Sequence, residues 1–139
     1  MPKLAQDQIQ KRMRRVEEAA VELFKTRGFH GVGLREIARE AGVSLGNIYN
    51  YYEGKEQLFD SILQRLHAEF TAPETPLGRF LGTSRFPSDL EGLGRVVGEM
   101  TEQHTDYLTL IYVDLAEFAG RHVRPYYRGL AARFGAALE

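Results

Sequence analysis

A row of polar but uncharged side chains stands out in the segment Leu34–Tyr52. Ser44 is placed to cap a short helix, and Asn47 and Asn50 then fall on its outer face when Ile48 points inward. An asparagine amide donates and accepts at once, which matches the N6 and N7 atoms of adenine in the major groove of DNA. The spacing therefore predicts a row of side chains that reads base edges.

Two short helices joined by a tight turn would carry this row. The first begins after Gly33, and Gly42 suits the turn because a left-handed backbone there resists a Cβ atom. The second begins at Ser44, and its spacing places Ile48 and Tyr52 inward. Such a helix-turn-helix inserts its second helix into the major groove, so duplex DNA is the predicted partner.

Groups near this row can hold the phosphate backbone. Tyr49 and Tyr51 carry hydroxyls, and Lys55 puts a charge at the start of a fourth helix whose free N–H groups also suit a phosphate. Arg35, early in the second helix, can reach a guanine edge or a phosphate. Each has a structural alternative, since Tyr49 can lie in the core and the polar residues can form an ordinary surface.

The formal net charge of −1 conceals an asymmetry along the chain. Residues 1–66 hold eleven Lys/Arg and nine Asp/Glu, whereas residues 67–139 hold seven and ten. The basic residues of the first fifteen positions are Lys3, Lys11, Arg12, Arg14 and Arg15. This pattern predicts a basic N-terminal arm that contacts phosphates, and a solvated, frayed terminus is the alternative.

Composition argues against several other kinds of site. The chain has no cysteine, which removes disulfides, thiolate zinc sites and cysteine nucleophiles and fits a reducing cytoplasm. The four histidines lack ligand spacing, and Asp114 and Glu117, one turn apart, are interpreted as a solvated helix face. No apolar run approaches the ~20 residues that cross a bilayer. We expect no enzyme, metal or cofactor, no membrane partner, and a cytoplasmic location.

Helical periodicity without strand-like alternation predicts an all-α fold. The predicted helices lie at about Gln10–Thr26, from Leu34 to the turn, from Ser44 to Tyr52, from Lys55 to about Phe70, from the capping box Ser88–Glu91 onward, at about Asp106–Ala119, and from about Pro125 to the last residue. Prolines and glycines between Thr71 and Pro87 predict a connection without regular helix.

The residues from about Arg14 to Leu66 resemble the N-terminal domain of the TetR family of bacterial transcriptional regulators. The motifs that carry the resemblance are Ala19-Ala20-Val-Glu-Leu-Phe24, Gly28-Phe29, Arg35-Glu-Ile-Ala38, Ala41-Gly-Val-Ser44, Gly46-Asn-Ile-Tyr49, Tyr52 and Lys55-Glu-Gln-Leu58. The resemblance implies a three-helix DNA-binding head. The positions that it assigns to DNA contact are Arg35, Ser44, Leu45, Gly46, Asn47, Tyr49, Asn50, Tyr51 and Lys55.

The resemblance also implies an organisation and a mode of action. It places a helix-turn-helix domain with its basic arm at 1–53 and a partial helical effector and dimerisation domain at 54–139, starting with connecting helix four. The implied function is that of a homodimeric, ligand-responsive regulator, a repressor released from a palindromic operator by a small apolar effector. The candidate effector residues are His104, Tyr107, Tyr112, Glu117 and Arg121.

Several features depart from the family pattern or allow another interpretation. Gly33 replaces a usual Thr, Tyr51 a frequent His and Gly54 a frequent Ser. The chain also stops inside its last predicted helix, so we expect a truncated or unusually short member, with dimerisation left open. Nine of the fifteen aromatic residues lie in 67–139, where they can also form ordinary core. The alternative functions are a helical enzyme and a protein-interaction module that uses this aromatic-rich region.

Overall fold

The computed structural model describes residues 2–83 and 88–138, and every regular element within these ranges is a helix. The helices are α1 (Pro2–Arg27), α2 (Leu34–Ala41), α3 (Leu45–Tyr49), α4 (Lys55–Thr71), α5 (Pro76–Gly82), α6 (Leu90–Gln103), α7 (Thr105–Phe118) and α8 (Arg124–Leu138). The prediction of an all-α fold is confirmed. Among the described helices, not one combines the length and apolar character that crossing a bilayer requires.

The chain divides into two compact units, Met1–Ile62 and Leu63–Glu139. The predicted domain boundary at 53/54 stays a prediction. Three phenylalanines hold the first unit together: the ring of Phe59 on α4 meets those of Phe24 and Phe29 edge-on, at centroid distances of 5.4 and 5.3 Å. Such pairs contribute about 0.5–1.5 kcal/mol each beyond the apolar area they bury. The first two turns of α4 are therefore part of the core beneath α1.

Helix α1 begins earlier than the sequence predicted. It starts at Pro2 rather than near Gln10, so the segment predicted as an arm is helical. Proline is compatible with a helix start because the first N–H groups of a helix have no partner within it. The predicted end is confirmed, since Gly28 has a left-handed φ of 74° and its N–H donates to the carbonyl of Phe24 at 2.9 Å.

The segment predicted as a helix-free connection contains α5. Thr75 caps this helix by accepting a hydrogen bond from the N–H of Gly78 at 3.1 Å, and Pro76 occupies the first turn. The prolines of this segment predicted a break in helix, but at a helix start proline is favourable, as is a threonine cap before it. A Cβ on Gly78 would lie 2.3 Å from the carbonyl oxygen of Ala72, so the glycine permits a close backbone contact that no larger residue allows.

The cap of α6 lies one residue later than predicted. Asp89 rather than Ser88 is the N-cap, and its Oδ1 accepts from the N–H of Gly92 at 2.7 Å. A carboxylate is at least as good a cap as a hydroxyl and also interacts favourably with the helix dipole. The capping-box interpretation was therefore wrong about the residue, although the helix begins where it was expected.

The interpretation of Asp114 as part of a solvated face is wrong. Asp114 is fully buried, on the same side of α7 as Tyr107, Leu110 and Ile111. Helix α7 stops at Ala119, whose φ of 51° is left-handed, and the chain folds back toward that carboxylate. The buried face of α7 therefore includes a carboxyl side chain that was predicted to lie in solvent.

Candidate nucleic-acid interface

The turn between α2 and α3 has the predicted left-handed geometry. Gly42 adopts φ 70° and ψ 32°, and the N–H of Val43 donates to the carbonyl of Ala38 at 3.0 Å. The stripe Ile37, Ala38 and Ala41 buries the inner face of α2, as predicted. This turn fixes the direction in which α3 leaves α2.

Helix α3 begins at the predicted cap and is shorter than predicted. The hydroxyl of Ser44 accepts a hydrogen bond from the N–H of Asn47 at 3.2 Å. The helix ends at Tyr49, but the N–H groups of Tyr51 and Tyr52 both donate to the carbonyl of Ile48. The backbone therefore keeps coiling for one more turn, which carries Tyr52 back toward the core.

Two side chains anchor α3 to the first unit. Ile48 and Tyr52 are 1% and 4% exposed, so both inward predictions are confirmed. The hydroxyl of Tyr52 donates to a carboxylate oxygen of Glu17 on α1 at 3.4 Å. This anchoring orients the opposite face of α3 outward.

The outward face of α3 is polar and carries no formal charge. Tyr49 is 55% and Tyr51 is 37% exposed, which excludes the alternative in which Tyr49 lies in the core. Gly46 and Asn50 are exposed as well. Half-buried Leu45 and Asn47 complete the helix. A Cβ on Gly46 would meet only the hydroxyl of Ser44, at 3.9 Å, so the backbone is open to close approach from outside.

The start of α2 presents one arginine next to an ion pair. Gly33 caps the helix without a side-chain hydrogen bond, as predicted, and Arg35 in the first turn is exposed. The neighbouring Glu36 is bound by Arg27, and this hydrogen bond is the main reason that the pKa of Glu36 lies below its ordinary value. Arg27 also donates to the carbonyl of Gly31 at 2.7 Å, which closes the loop before α2.

Lys55 is engaged inside the first unit. Its ammonium group donates to the carbonyl oxygens of Phe29 and Val32, at 2.9 and 2.8 Å, and lies 4.2 Å from the centre of the Phe29 ring. An ammonium has three donors, so two are already used by the loop between α1 and α2. The predicted contact of Lys55 with phosphate stays a prediction. In the structure Lys55 holds the loop between α1 and α2, a role that the sequence did not suggest.

Comparison with known proteins relates the first unit to bacterial transcriptional regulators. Residues 18–62 match the sequence model described as bacterial regulatory proteins, tetR family. The HTH-type transcriptional repressor DrrR1 of Streptomyces coeruleorubidus is 30% identical over 90 residues, which are 65% of this chain and 32% of that protein. The HTH-type transcriptional activator FasR of Mycolicibacterium smegmatis is 45% identical over 47 residues, 34% of this chain and 22% of that protein.

The fold is also similar to that of a solved structure. A solved structure described as a TetR-family transcriptional regulator, from Mesorhizobium loti, superposes with a TM-score of 0.68 at 20% identity, covering 94% of this chain and 67% of that one. The N-terminal domain of this chain belongs to the TetR family. The chain spans no more than 40% of the length of the curated relatives compared.

Beyond the TetR-type domain, aromatic side chains of the second unit pack around His67. Its Nδ1 lies 2.8 Å from the hydroxyl of Tyr107, and its ring stacks on Tyr126 at 4.7 Å. Phe70 stacks on Tyr107, with ring centroids 5.1 Å apart. Burial, with a smaller effect of Arg133, lowers the pKa of His67, and burial raises the pKa of Tyr107.

The five predicted effector residues lie in different surroundings. Tyr107 is buried in this cluster, and His104 meets Phe70 edge-on at 5.3 Å. Tyr112 is 74% exposed on α7, and the guanidinium of Arg121 lies 5.3 Å from the ring of Phe118. Half-buried Glu117 completes the set. The structure thus brings His104 and Tyr107 to the same cluster, through Phe70.

Sequence reasoning missed His67, Phe70 and Tyr126 as neighbours of Tyr107. His67 and Phe70 lie three residues apart on α4, a spacing that puts both on one helix face and was an available signal. The contribution of Tyr126 on α8 depends on tertiary packing alone. Among the described residues, we find no group of three or more possible metal ligands.

Proposed function

We propose that this chain is a DNA-binding transcriptional regulator whose α3 enters the major groove of duplex DNA. The observation that carries the proposal is the outward face of α3, which is polar, uncharged and rigidly oriented by the burial of Ile48 and Tyr52. Membership of the N-terminal domain in the TetR family supports it, as do the names of DrrR1 and FasR. Such a regulator works in the bacterial cytoplasm, where its DNA is, and needs no catalytic step.

The side chains divide between reading bases and holding the backbone. We assign base edges to the amides of Asn47 and Asn50, which pair with adenine through two hydrogen bonds. Tyr49 and Tyr51 are exposed enough to donate their hydroxyls to phosphate oxygens. Arg35 reaches a guanine edge or a phosphate from the start of α2.

Three more residues shape the contact surface of α3. Gly46 lets its backbone approach the bases, and Ser44 and Leu45 at the helix start lie nearest the groove edge. We assign Lys55 to holding the loop between α1 and α2 rather than to the DNA, because its ammonium group donates to two carbonyl oxygens of that loop.

We further propose that the regulator is a repressor that acts as a homodimer. Two copies of α3 would occupy successive major grooves of a near-palindromic operator, about 34–36 Å apart. The name of DrrR1 supports repression, whereas that of FasR shows that a related N-terminal domain also serves an activator. A ligand that favours a mis-spaced pair of heads would weaken DNA binding by linkage, without competing for the DNA surface.

The proposed effector is a small, largely apolar molecule bound beside the aromatic cluster of the second unit. Tyr107 and His104 are the predicted residues nearest this cluster, through Phe70. A collection of aromatic compounds added to the protein–DNA complex should contain members that release the duplex. Tyr107→Phe, which keeps the ring and removes the hydroxyl, should change the concentration that a releasing compound needs. Release at unchanged concentration would place the effector elsewhere.

The central experiment selects a binding sequence and then tests α3. The full chain is used to enrich a pool of random 30-base-pair duplexes, and affinities for the enriched duplex and a scrambled one are measured by fluorescence anisotropy. Asn50→Ala and Tyr49→Ala should each weaken binding to the enriched duplex about tenfold, since one good contact is worth roughly 1–3 kcal/mol. Gln103→Ala, at an exposed position of α6, serves as the matched control.

Two results would contradict the proposal. Failure to enrich any sequence, with no salt-sensitive binding to duplex DNA, would exclude DNA recognition. It would favour an enzyme or a protein-interaction module instead. Parental affinity of both α3 variants would show that another surface reads the DNA.

A further inference from the structure

Two side chains of α8 reach the C-terminal end of α4. The ring of Tyr126 stacks on that of His67, with centroids 4.7 Å apart and planes 21° from parallel. Farther along α8, Arg133 donates from Nη1 to the carbonyl oxygen of Thr71, the last residue of α4, at 3.0 Å. A cation at this place also complements the negative end of the α4 dipole. Tyr126 and Arg133 thus fasten one face of α8 to the end of α4.

Helix α8 contributes little to the core of the second unit. At positions 124–136, where its side chains are described, not one is buried, and Tyr126, Leu130 and Phe134 are half-buried. By contrast, α7 has four buried residues. An element with few buried contacts separates from a fold at a lower free energy than the rest of that fold. When its contact with α4 weakens, α8 is therefore the element that can move.

His67 is the titratable member of this contact. From α7, the hydroxyl of Tyr107 lies 2.8 Å from its Nδ1. From α8, the ring of Tyr126 stacks on it, and Arg133 is close enough for its positive charge to lower the pKa of the imidazole. On α4 itself, the hydroxyl of Thr71 donates to the carbonyl oxygen of His67 at 2.9 Å. The charged side chain that acts on His67 therefore has the same sign as an imidazolium.

This arrangement disfavours a proton on His67 in three ways. Burial penalises the charged form, and Arg133 repels it. Nδ1 of a neutral imidazole can also accept the hydroxyl proton of Tyr107, whereas an imidazolium has no acceptor left for that buried hydroxyl. Movement of α8 away from α4 relieves the first two effects, because α8 carries both Arg133 and the ring that lies on the imidazole.

We propose that Tyr126 and Arg133 form a clasp between α8 and the end of α4, and that this clasp opens in mild acid when His67 takes up a proton. In the open state the imidazole meets water and has its ordinary pKa of 6.5, so protons favour that state as the pH falls below this value. The inference goes beyond the proposed function, since the opening belongs to the second unit and needs neither DNA nor effector. The proton would be a second signal at the cluster where the effector is proposed to bind.

Hydrogen exchange of the full chain, followed by mass spectrometry, measures the opening of α8. Protection factors, which correct for the intrinsic effect of pH on exchange, are compared at pH 7.5 and 5.5. Each pKa unit between the closed and the open state contributes at most about tenfold, so we expect the protection of α8 to fall several-fold in acid. At both pH values α8 should be less protected than α7, because the clasp opens without unfolding the unit.

Three variants identify the group that takes up the proton. His67→Gln does not titrate, so its α8 should have the same protection at both pH values. Arg133→Gln removes the repelling charge and the bond to Thr71, so protection should be lower at pH 7.5 and fall less in acid. Arg128→Gln, at an exposed position of the same helix, is the matched control and should behave as the parent does.

Several results would overturn the clasp. Protection of α8 that is equal at the two pH values in the parent would show that no opening follows the proton. An undiminished fall in His67→Gln would assign the proton to another group. Equal protection of α7 and α8 would mean that the unit unfolds as a whole. Arg133 is exposed, so its variant decides the question if His67→Gln does not fold: a fall as large as that of the parent contradicts the proposal.

Discussion

The carboxylate of Asp114 lies 2.6 Å from the Nδ1 atom of His122, and both side chains are almost completely removed from solvent. The other carboxylate oxygen of Asp114 accepts from the backbone N–H groups of His122 and Val123, at 3.1 and 3.0 Å. One buried acid therefore ties the end of α7 to the turn that starts α8. Such a group is tolerated in a core because it has hydrogen-bond partners on both oxygens.

Removing this carboxylate should destabilise the second unit strongly. Asp114→Ala leaves two backbone N–H groups and an imidazole nitrogen without their acceptor, so we expect the free energy of unfolding to fall by about 3 kcal/mol. Asp114→Asn keeps one acceptor oxygen, so the free energy of unfolding should fall by less. Urea denaturation followed by circular dichroism measures both, with Glu102→Ala at an exposed site of α6 as the control. Asp114→Ala at parental stability would show that the turn is held by other contacts.

Lys55 should contribute to stability more than to DNA charge. Lys55→Met keeps the apolar stem but removes two hydrogen bonds and the contact with the Phe29 ring, so we expect a loss of about 2 kcal/mol in urea denaturation. The salt slope of DNA binding, that is, the slope of log K against log salt concentration, should stay near that of the parent.

Lys11→Met is the reciprocal control for Lys55. Lys11 is exposed, so its replacement should leave stability unchanged while the salt slope falls. If Lys55→Met lowered the slope and left stability unchanged, Lys55 would be a phosphate contact after all.

The turn before α3 should depend on the left-handed conformation of Gly42. No atom lies within 4 Å of an added Cβ there, so Gly42→Ala meets no clash and is disfavoured by its φ of 70° alone, at about 1 kcal/mol. The space around Gly98 is equally open, but this residue lies within α6, where alanine is the better helix former. Gly98→Ala should therefore raise the free energy of unfolding by up to about 1 kcal/mol. Urea midpoints that shift in the same direction for both variants would contradict this account.

His67 should make the second unit less stable in mild acid. Burial and Arg133 lower the pKa of His67 in the folded protein from its ordinary value of 6.5. Below about pH 6.5 the unfolded chain therefore takes up a proton that the folded protein resists. Stability is fully present above that pH and declines as the pH falls toward the lowered pKa.

Replacing the imidazole isolates this contribution. The stability of the His67→Gln variant should decline less than that of the parent between pH 7.5 and 5.5, because the replacement does not titrate. Urea denaturation measures this difference. His30→Gln, at an exposed position of the first unit, should decline as the parent does. An unchanged decline in the His67 variant would show that another group causes the acid sensitivity.

The sequence predicted best where short segments specify their own conformation. The hydroxyl cap at Ser44, the left-handed Gly42 and the inward turn of Ile48 each depend on neighbours within about four positions. Local signals gave the wrong prediction where one residue type occurs in two kinds of structure. Proline predicted a connection without helix, yet Pro76 starts α5 directly after the cap Thr75. The same residues favour both a turn and a helix cap, and only the chain that follows decides between them.

By itself, then, the sequence determined the all-α class, the helix-turn-helix and the polar residues that α3 presents, because amphipathic periodicity and caps are local properties. Tertiary structure decided which charged groups are available. It buried Asp114 against His122, committed Lys55 to the loop carbonyls, and left Lys11 and Arg12 without a partner in the described part of the chain. A charge's availability depends on acceptors and burial contributed by residues distant in sequence, and helical spacing carries no information about them.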